Sequence, residues 1–551
     1  MQKMRSAEFI RDKSCQSVPQ ERQEEHVATK ISTTTSSTGR SISDSKSKVV
    51  LLHSSQHTNL IHSTMRHIHK DRDVLLTSLL YCCGFLKQTP KFFQVLAPKI
   101  AKRSHIEAFH SKDYLDLLEC PARNNELMQS DLHNNSMDRE SGSAYTNLLD
   151  AYGLTDDCFV PTNMAQREQL WKYCQSIAGA SLHGSHLLLQ SNNTNVNVVI
   201  NWSGGRHHAQ HDQAAGFCYI NDAVLAIQKL IQSKKRVLYL DIDIHHADGV
   251  QAAFYGTDQV LTVSLHRYAP GFFPSKTGSI HEKGRHGSPG VGYNLNVPLP
   301  RGCQDFDMLD MTNQILEKIV PGYDPDVVVL CVGADGLRGD DLVKETGEGW
   351  NLTPEGLAEC VRRVACACGG LDHRTGNRVD SVRRKRQLMV LGGGGYNPVN
   401  TARAFLLCTA AACEASRPGM LWNELPNDVP RHEFLDRYGP SFELKQIDRR
   451  ASFHQPANNN RSCGGDDYSR TILESKRAVD LAHLFLTMRQ KGGPSNEANF
   501  DFCNDVAEDN SLWGVAGDGG ISSTKAAGRA STSSSTQNTK RRSSRRRKNA
   551  H

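Results

Sequence analysis

Hydrophobic positions along this chain gather into short, nearly unbroken runs: VVLL from Val49, VNVVI at 196–200, VLYL from Val237, VLTVSL from Val260, VVVLCV from Val327 and LMVL from Leu388. Runs with no alternating polar position are what strands covered on both faces show. Between them lie stretches of helix-compatible pattern or composition at 73–86, 166–189 and 354–368, with another opening at Thr401. This alternation predicts an α/β domain on a central, mostly parallel sheet. A later helical pattern at 469–491, with Ile472, Leu473, Val479, Leu481, Leu484 and Leu486 as anchors, predicts a helix docked on that domain.

Four of the runs end in residues able to do chemistry: His207 and His208 after a double glycine; Asp243 and His245; Asp335; and Gly392 through Tyr396. Ligands in open α/β sheets bind beyond the carboxyl ends of the strands, so loops distant in sequence would converge on one site. The densest stretch is VLYLDIDIHHADG at 237–249, where Asp241, Asp243, His245, His246 and Asp248 follow the apolar half. With a side-chain period of two, Asp243 and His245 share one side of the strand with Asp241 in line behind them. A carboxylate and an imidazole so placed can hold one divalent cation; a hydrogen-bonded web without metal, or an exposed acidic turn, is the plainer alternative. In RYAPGFFP, Pro270 and Pro274 fix a turn that displays Phe272 and Phe273.

Composition narrows the class. With 38% hydrophobic and 23% charged residues in 551, the chain has the makeup of a globular protein with a large core. Of its formal charge of +6, seven basic residues fall between Lys540 and Lys548; without them the balance is 58 basic against 59 acidic. The body is therefore near neutral, and no direct sequence-specific nucleic-acid binding is expected of it. The basic run itself suggests nuclear import, so the expected location is the nucleus, with the cytoplasm as a second compartment. Sixteen scattered cysteines without a C-x-x-C pair argue against zinc ribbons and disulfides and for reduced core thiols. No run approaches the eighteen or so apolar residues of a membrane span, and no membrane partner is expected. Three regions follow: a disordered tail at 1–47, a folded domain at 48–450 with a polar insertion at 121–145, and a mostly disordered basic tail at 451–551 that carries the docking helix.

The stretches NWSGGRHHA, GFCYIND, YLDIDIHHADGV, VSLHRYAPGFFP, GAD and LGGGGYN, in that order over roughly residues 48–445, resemble the class I zinc-dependent histone/lysine deacetylases. The resemblance implies the three-layer arginase/deacetylase fold, with Asp243, His245 and Asp335 as metal ligands. It further implies that His207 and His208 are the family's histidine pair oriented by Asp241 and Asp248, and that Tyr396 is an oxyanion donor. Gly216, Phe217 and Phe273 would wall an acyl-lysine tunnel, Asp157 would be the rim carboxylate that holds the substrate backbone, and Arg72 would match an internal arginine. The implied metal is Zn2+, with Fe2+ as an alternative. K+ or Na+ would be structural ions, one by Asp241 and Ser264 and another near Phe254, Thr257 and Val260. The implied reaction is hydrolysis of the acetyl or other acyl amide of lysine side chains in histones and other proteins by metal-bound water. The implied partners are acetylated histone tails and chromatin-associated proteins.

Two other functions compete. Asp340 and Asp341, in an expanded stretch at 336–350, could form an acidic gate that favours acetylpolyamines; a non-catalytic acyl-lysine-binding scaffold is the third reading. Arg206 in place of an apolar residue, and Ala247 in place of a glycine, are departures that bear on selectivity.

Overall fold

In the computed structural model, residues 48–87, 92–119, 144–161, 163–344, 346–377, 384–416, 424–445 and 465–491 are described; most of the 121–145 insertion, the tails at 1–47 and 492–551, and the basic run lie outside them. Eight strands form one sheet: β1 (Lys48–Leu52), β2 (Phe93–Leu96), β3 (Val196–Asn201), β4 (Val237–Asp241), β5 (Val260–Arg267), β6 (Asn294–Leu299), β7 (Val327–Val332) and β8 (Gln387–Gly392). Their order is β2-β1-β3-β8-β7-β4-β5-β6 and every pairing is parallel. The expected mostly parallel sheet is thus wholly parallel among the described residues.

Alternate residues of each strand feed opposite faces. Val49, Leu51, Val198, Ile200, Leu238, Leu240, Val328 and Leu330 face one layer, where α1 (Arg72–Cys82), α2 (Pro354–Cys368) and α3 (Pro398–Ala412) cover them. Val50, Leu52, Val199, Tyr239, Val329 and Met389 face the other, against α4 (Asp222–Gln232), α5 (Asp248–Phe254) and the end of α6 (Met164–Leu189). The result is a three-layer α/β fold. Both faces being covered is why the strands read as apolar runs.

Two strands and several helices, α4 and α5 among them, did not announce themselves in the sequence pattern. β2 is only four residues long. β6 reads NLNVPL, and its buried Asn294 and Asn296 are tolerated because each amide donates to Gln251 Oε1, at 2.8 and 2.9 Å. The helix α7 (Ser55–His69), capped by Ser54, buries His57, Thr58 and His69 beside Ile61 and Met65, so its inner face lacks an apolar stripe.

The late helix α8 (Gly465–Gln490) lies along the β6 edge, where Ser475 donates to the Pro298 carbonyl. Covering that edge removes a row of open strand bonds. The buried face carries Thr471, Ser475, Ala478, Val479 and Leu486, whereas two expected anchors, Leu473 and Leu484, are 49% and 39% exposed. The pattern gave the helix but set its face partly wrong, because the contact face includes small and hydroxyl residues that close packing against an edge strand selects.

Candidate active site

β4 ends at Asp241, which pairs with Cys331 of β7. Asp243 and His245 therefore do not lie on a strand, and the period of two is not what aligns them. The backbone instead steps through two side-chain bridges: the Asp243 N–H donates to Asp241 Oδ1 and the His245 N–H to Asp243 Oδ1, both at 2.9 Å. β7 is the neighbour of β4, and the loop after it brings Asp335 to the same point. His245 Nδ1 lies 3.2 Å from Asp243 Oδ1 and 2.9 Å from Asp335 Oδ2. One ligand atom from each of the three side chains falls within 4.8 Å of the others, and all three are buried.

The electrostatics of this trio are those of a cation site. Burial, together with the adjacent Asp243 charge, pushes the Asp335 carboxyl up to about 7. Burial alone would lower the His245 imidazole, but its bonds to Asp243 and Asp335 outweigh it and hold the ring at about 10. Burial opposes Asp243 ionisation as well, yet His207 and His245 keep this carboxyl below its usual range. The Asp243 and Asp335 carboxylates and the His245 imidazole lie within reach of one ion, and a donor set of two oxygens and a nitrogen fits a divalent cation. Glycines make the room: a Cβ on Gly394 would stand 2.1 Å from Asp335 Oδ2, and one on Gly333 2.1 Å from Asp243 Oδ2. A cation must displace the His245 proton, so affinity for zinc is expected to rise steadily between about pH 6 and pH 9. Competition with a chromophoric chelator measures this, and a flat profile would count against the trio as ligands.

His207 and His208 follow β3 side by side, ring centroids 4.0 Å apart. Each is oriented through Nδ1, His207 by Asp241 Oδ2 at 2.8 Å and His208 by Asp248 Oδ1 at 2.7 Å. The two rings are driven apart in charge. Burial pulls on His207, but Asp241 and Asp243 prevail and hold it at about 9, whereas burial and the neighbouring His207 charge lower His208 to about 4. A charged imidazole and a neutral one thus share the site at neutral pH.

Tyr396 ends the glycine-rich turn after β8. Burial and the nearby Asp335 and Asp243 charges push its phenol well above the usual range, so the hydroxyl keeps its proton. The turn is held atom by atom: Arg72 Nη1 donates to the Gly393 and Gly395 carbonyls at 3.2 and 3.0 Å, the Ala334 N–H to the Gly394 carbonyl at 2.9 Å, and the Gly394 N–H to Asp243 Oδ2 at 2.7 Å. Arg206, also buried, reaches His69 and the Ser203 carbonyl.

The remaining expected residues form walls. Gly216, at φ +55°, lies against His208 and Phe273, where a Cβ would meet His208 Cδ2 at 2.4 Å. Phe217 packs 5.7 Å from Tyr396, and Phe273 4.8 Å from His208. Asp157 Oδ2 accepts the Gly216 N–H at 2.9 Å, so one of its oxygens braces this wall. Phe272 was expected on display with Phe273, but it stacks on His245 at 5.3 Å and packs toward the core. Asp340 and Asp341 do not form the acidic gate: Asp340 is buried and Asp341 pairs with Lys70 and Lys344. Asp340 was missed in its actual place because a GDD triplet in a polar loop gives no sign of which carboxylate turns inward.

A family model described as "Histone deacetylase domain" matches residues 66–412. Histone deacetylase 8 of Xenopus tropicalis is 33% identical over 396 residues, covering 72% of this chain and 90% of the relative. Histone deacetylase 8 of Danio rerio is 33% identical over 375 residues, covering 68% and 82%. Histone deacetylase 9 of Arabidopsis thaliana is 35% identical over 352 residues, covering 64% and 69%.

Proposed function

The chain belongs to the histone deacetylase family, in its class I branch, and from that premise we propose that it hydrolyses the acyl amide of lysine side chains in histones and other proteins. The observation that carries the reading is the buried trio of Asp243, His245 and Asp335 beside His207 and His208, each anchored through Nδ1 by a carboxylate. Two carboxylates and an imidazole suit Zn2+, with Fe2+ second. When bound there, the cation supplies Lewis-acid polarisation of the amide carbonyl and acidifies a water.

The side chains divide the rest of the work. His208, its Nδ1 anchored by Asp248, takes the proton of the water that adds to the carbonyl carbon. Tyr396 donates a hydrogen bond to the carbonyl oxygen as charge builds on it. His207 stays protonated and stabilises that charge. The C–N bond breaks as the proton gathered by His208 passes to the lysine nitrogen, leaving a carboxylic acid and an amine, which exchange a proton to become carboxylate and ammonium. Phe217 and Phe273 fit the apolar stem of an acyl-lysine. Structural K+ or Na+ by Asp241 and Ser264, and near Phe254, Thr257 and Val260, completes the proposed ion set.

The acetylpolyamine reading loses its motivation with the gate, and a scaffold has no use for a charged and a neutral imidazole at a cation site. The deciding assay strips the metal, adds back zinc and iron separately, and compares acetyl-lysine peptide with acetylated polyamine. Metal-restored turnover of the peptide is expected; preference for the polyamine, or no turnover of either, overturns the proposal. Asp157→Ala is expected to raise KM for the peptide about tenfold, the worth of a charge-assisted hydrogen bond. An unchanged KM would leave Asp157 as a brace for Gly216 only. Nuclear residence is part of the proposal, and loss of nuclear signal on deletion of residues 540–548 is its check.

A further inference from the structure

We infer that Asp340 is a positioning residue for Tyr396: its carboxylate fixes the backbone on which the phenol is mounted. The role builds on the deacetylase reading and goes beyond it by giving the rim loop a part in catalysis. Asp340 Oδ2 accepts the N–H of Tyr396 at 2.7 Å and the N–H of Asn397 at 3.0 Å, while Oδ1 accepts the N–H of Leu342 at 3.0 Å. The side chain is 1% exposed. A buried carboxylate is costly unless its lone pairs are met, and here three backbone donors meet them.

Other restraints act upstream of Tyr396, on Gly393, Gly394 and Gly395, and beyond it on Asn397, whose carbonyl accepts from Thr401 as α3 begins, but none of these bonds is made by Tyr396 itself. Gly395, at φ +132°, is a permissive joint, so the tyrosine could swing about it without a hold further along. Asp340 supplies that hold at the junction where the turn enters α3, whose N-cap is Asn397. The neighbouring Asp341 ties the same loop to Lys70 at the end of α7, and the adjacent His69 ring lies 6.3 Å from that of Tyr396. Loop and helix end thus brace the tyrosine from two sides.

Asparagine at 340 keeps the shape but offers one acceptor oxygen, so either the Tyr396 and Asn397 amides or the Leu342 amide must face an NH2 group. Since small misplacement of a reacting group costs up to a hundredfold, Asp340→Asn is expected to lower kcat about tenfold while KM shifts less than about twofold. Metal content should match the parent. In a Tyr396→Phe background the same substitution should change kcat by less than about twofold, because the hydroxyl it positions is gone. Amide hydrogen exchange at Tyr396 and Asn397, read without any turnover, should speed up in Asp340→Asn. If that variant folds poorly by thermal unfolding, Asp340→Glu, which moves the carboxylate by one methylene, should show the same dependence on Tyr396. Equal losses in both backgrounds, no loss at all, or unchanged exchange at the two amides would each overturn the role. A parent enzyme inert toward acyl-lysine would sink the deacetylase reading, and the exchange result would still judge Asp340.

Discussion

Asp335→Asn is expected to abolish cation binding and turnover together. The substitution keeps size and one acceptor oxygen for His245 but removes one of two anionic ligands from a buried trio. Even groups that only orient metal ligands are worth roughly tenfold to a hundredfold in affinity, so loss of a ligand charge should exceed about a hundredfold. Activity at limiting zinc should fall at least as far. The fold is not expected to suffer in parallel. The Asp335 carboxyl is pushed up to about 7 by burial and Asp243, so its ionised form is disfavoured in the folded chain relative to the unfolded. Its metal-free contribution to stability therefore falls as pH rises from the ordinary carboxylate value through about 7, and asparagine is exempt from that loss. Zinc at a hundredfold excess over its Kd would stabilise the parent by about 2.7 kcal/mol, visible as a rise in Tm that the variant lacks. A variant that retains zinc after dialysis, measured by elemental analysis, would remove Asp335 from the ligand set.

Tyr396→Phe should lower kcat by about a hundred- to a thousandfold, the usual loss of roughly 3 to 4 kcal/mol for one preorganised oxyanion donor. Zinc content and KM should stay near the parent values, because the ring still packs against Phe217 and only the hydroxyl is lost. The restraints on the turn make this an isolated deletion: Arg72, Asp243 and Asp340 hold its backbone whether or not the phenol is present. Parent-level turnover by the purified variant would take Tyr396 out of the chemistry.

Part of this site was legible in the residues alone. A strand run that ends in DIDIHHAD, a double glycine before two histidines and a tyrosine after four glycines mark places where burial gives way to chemistry, and the structure brings all of them together. A strand period of two does not align Asp243 with His245: β4 stops at Asp241, and hydrogen-bonded turns do the aligning. Phe272 and Phe273 are alike in sequence, yet one stacks inward on His245 and the other stays 38% exposed, a distinction set by neighbours hundreds of atoms away along the chain.

What the sequence by itself determined is the kind of element each stretch becomes and the kind of group it carries to its end, because the cost of burying or exposing a residue belongs largely to that residue. Unbroken valine and leucine runs must be covered on both faces, and short runs separated by helical stretches leave a parallel sheet as the economical solution. Which groups meet is another matter. The order β3-β8-β7-β4 puts four carboxyl ends in a row, and it alone makes neighbours of His208, Tyr396, Asp335 and Asp243. The inward turn of Asp340, the different proton affinities of two adjacent histidines and the polar face of α7 were likewise decided by long-range packing, since hydrogen-bond partners and local dielectric depend on atoms that chain connectivity does not place nearby.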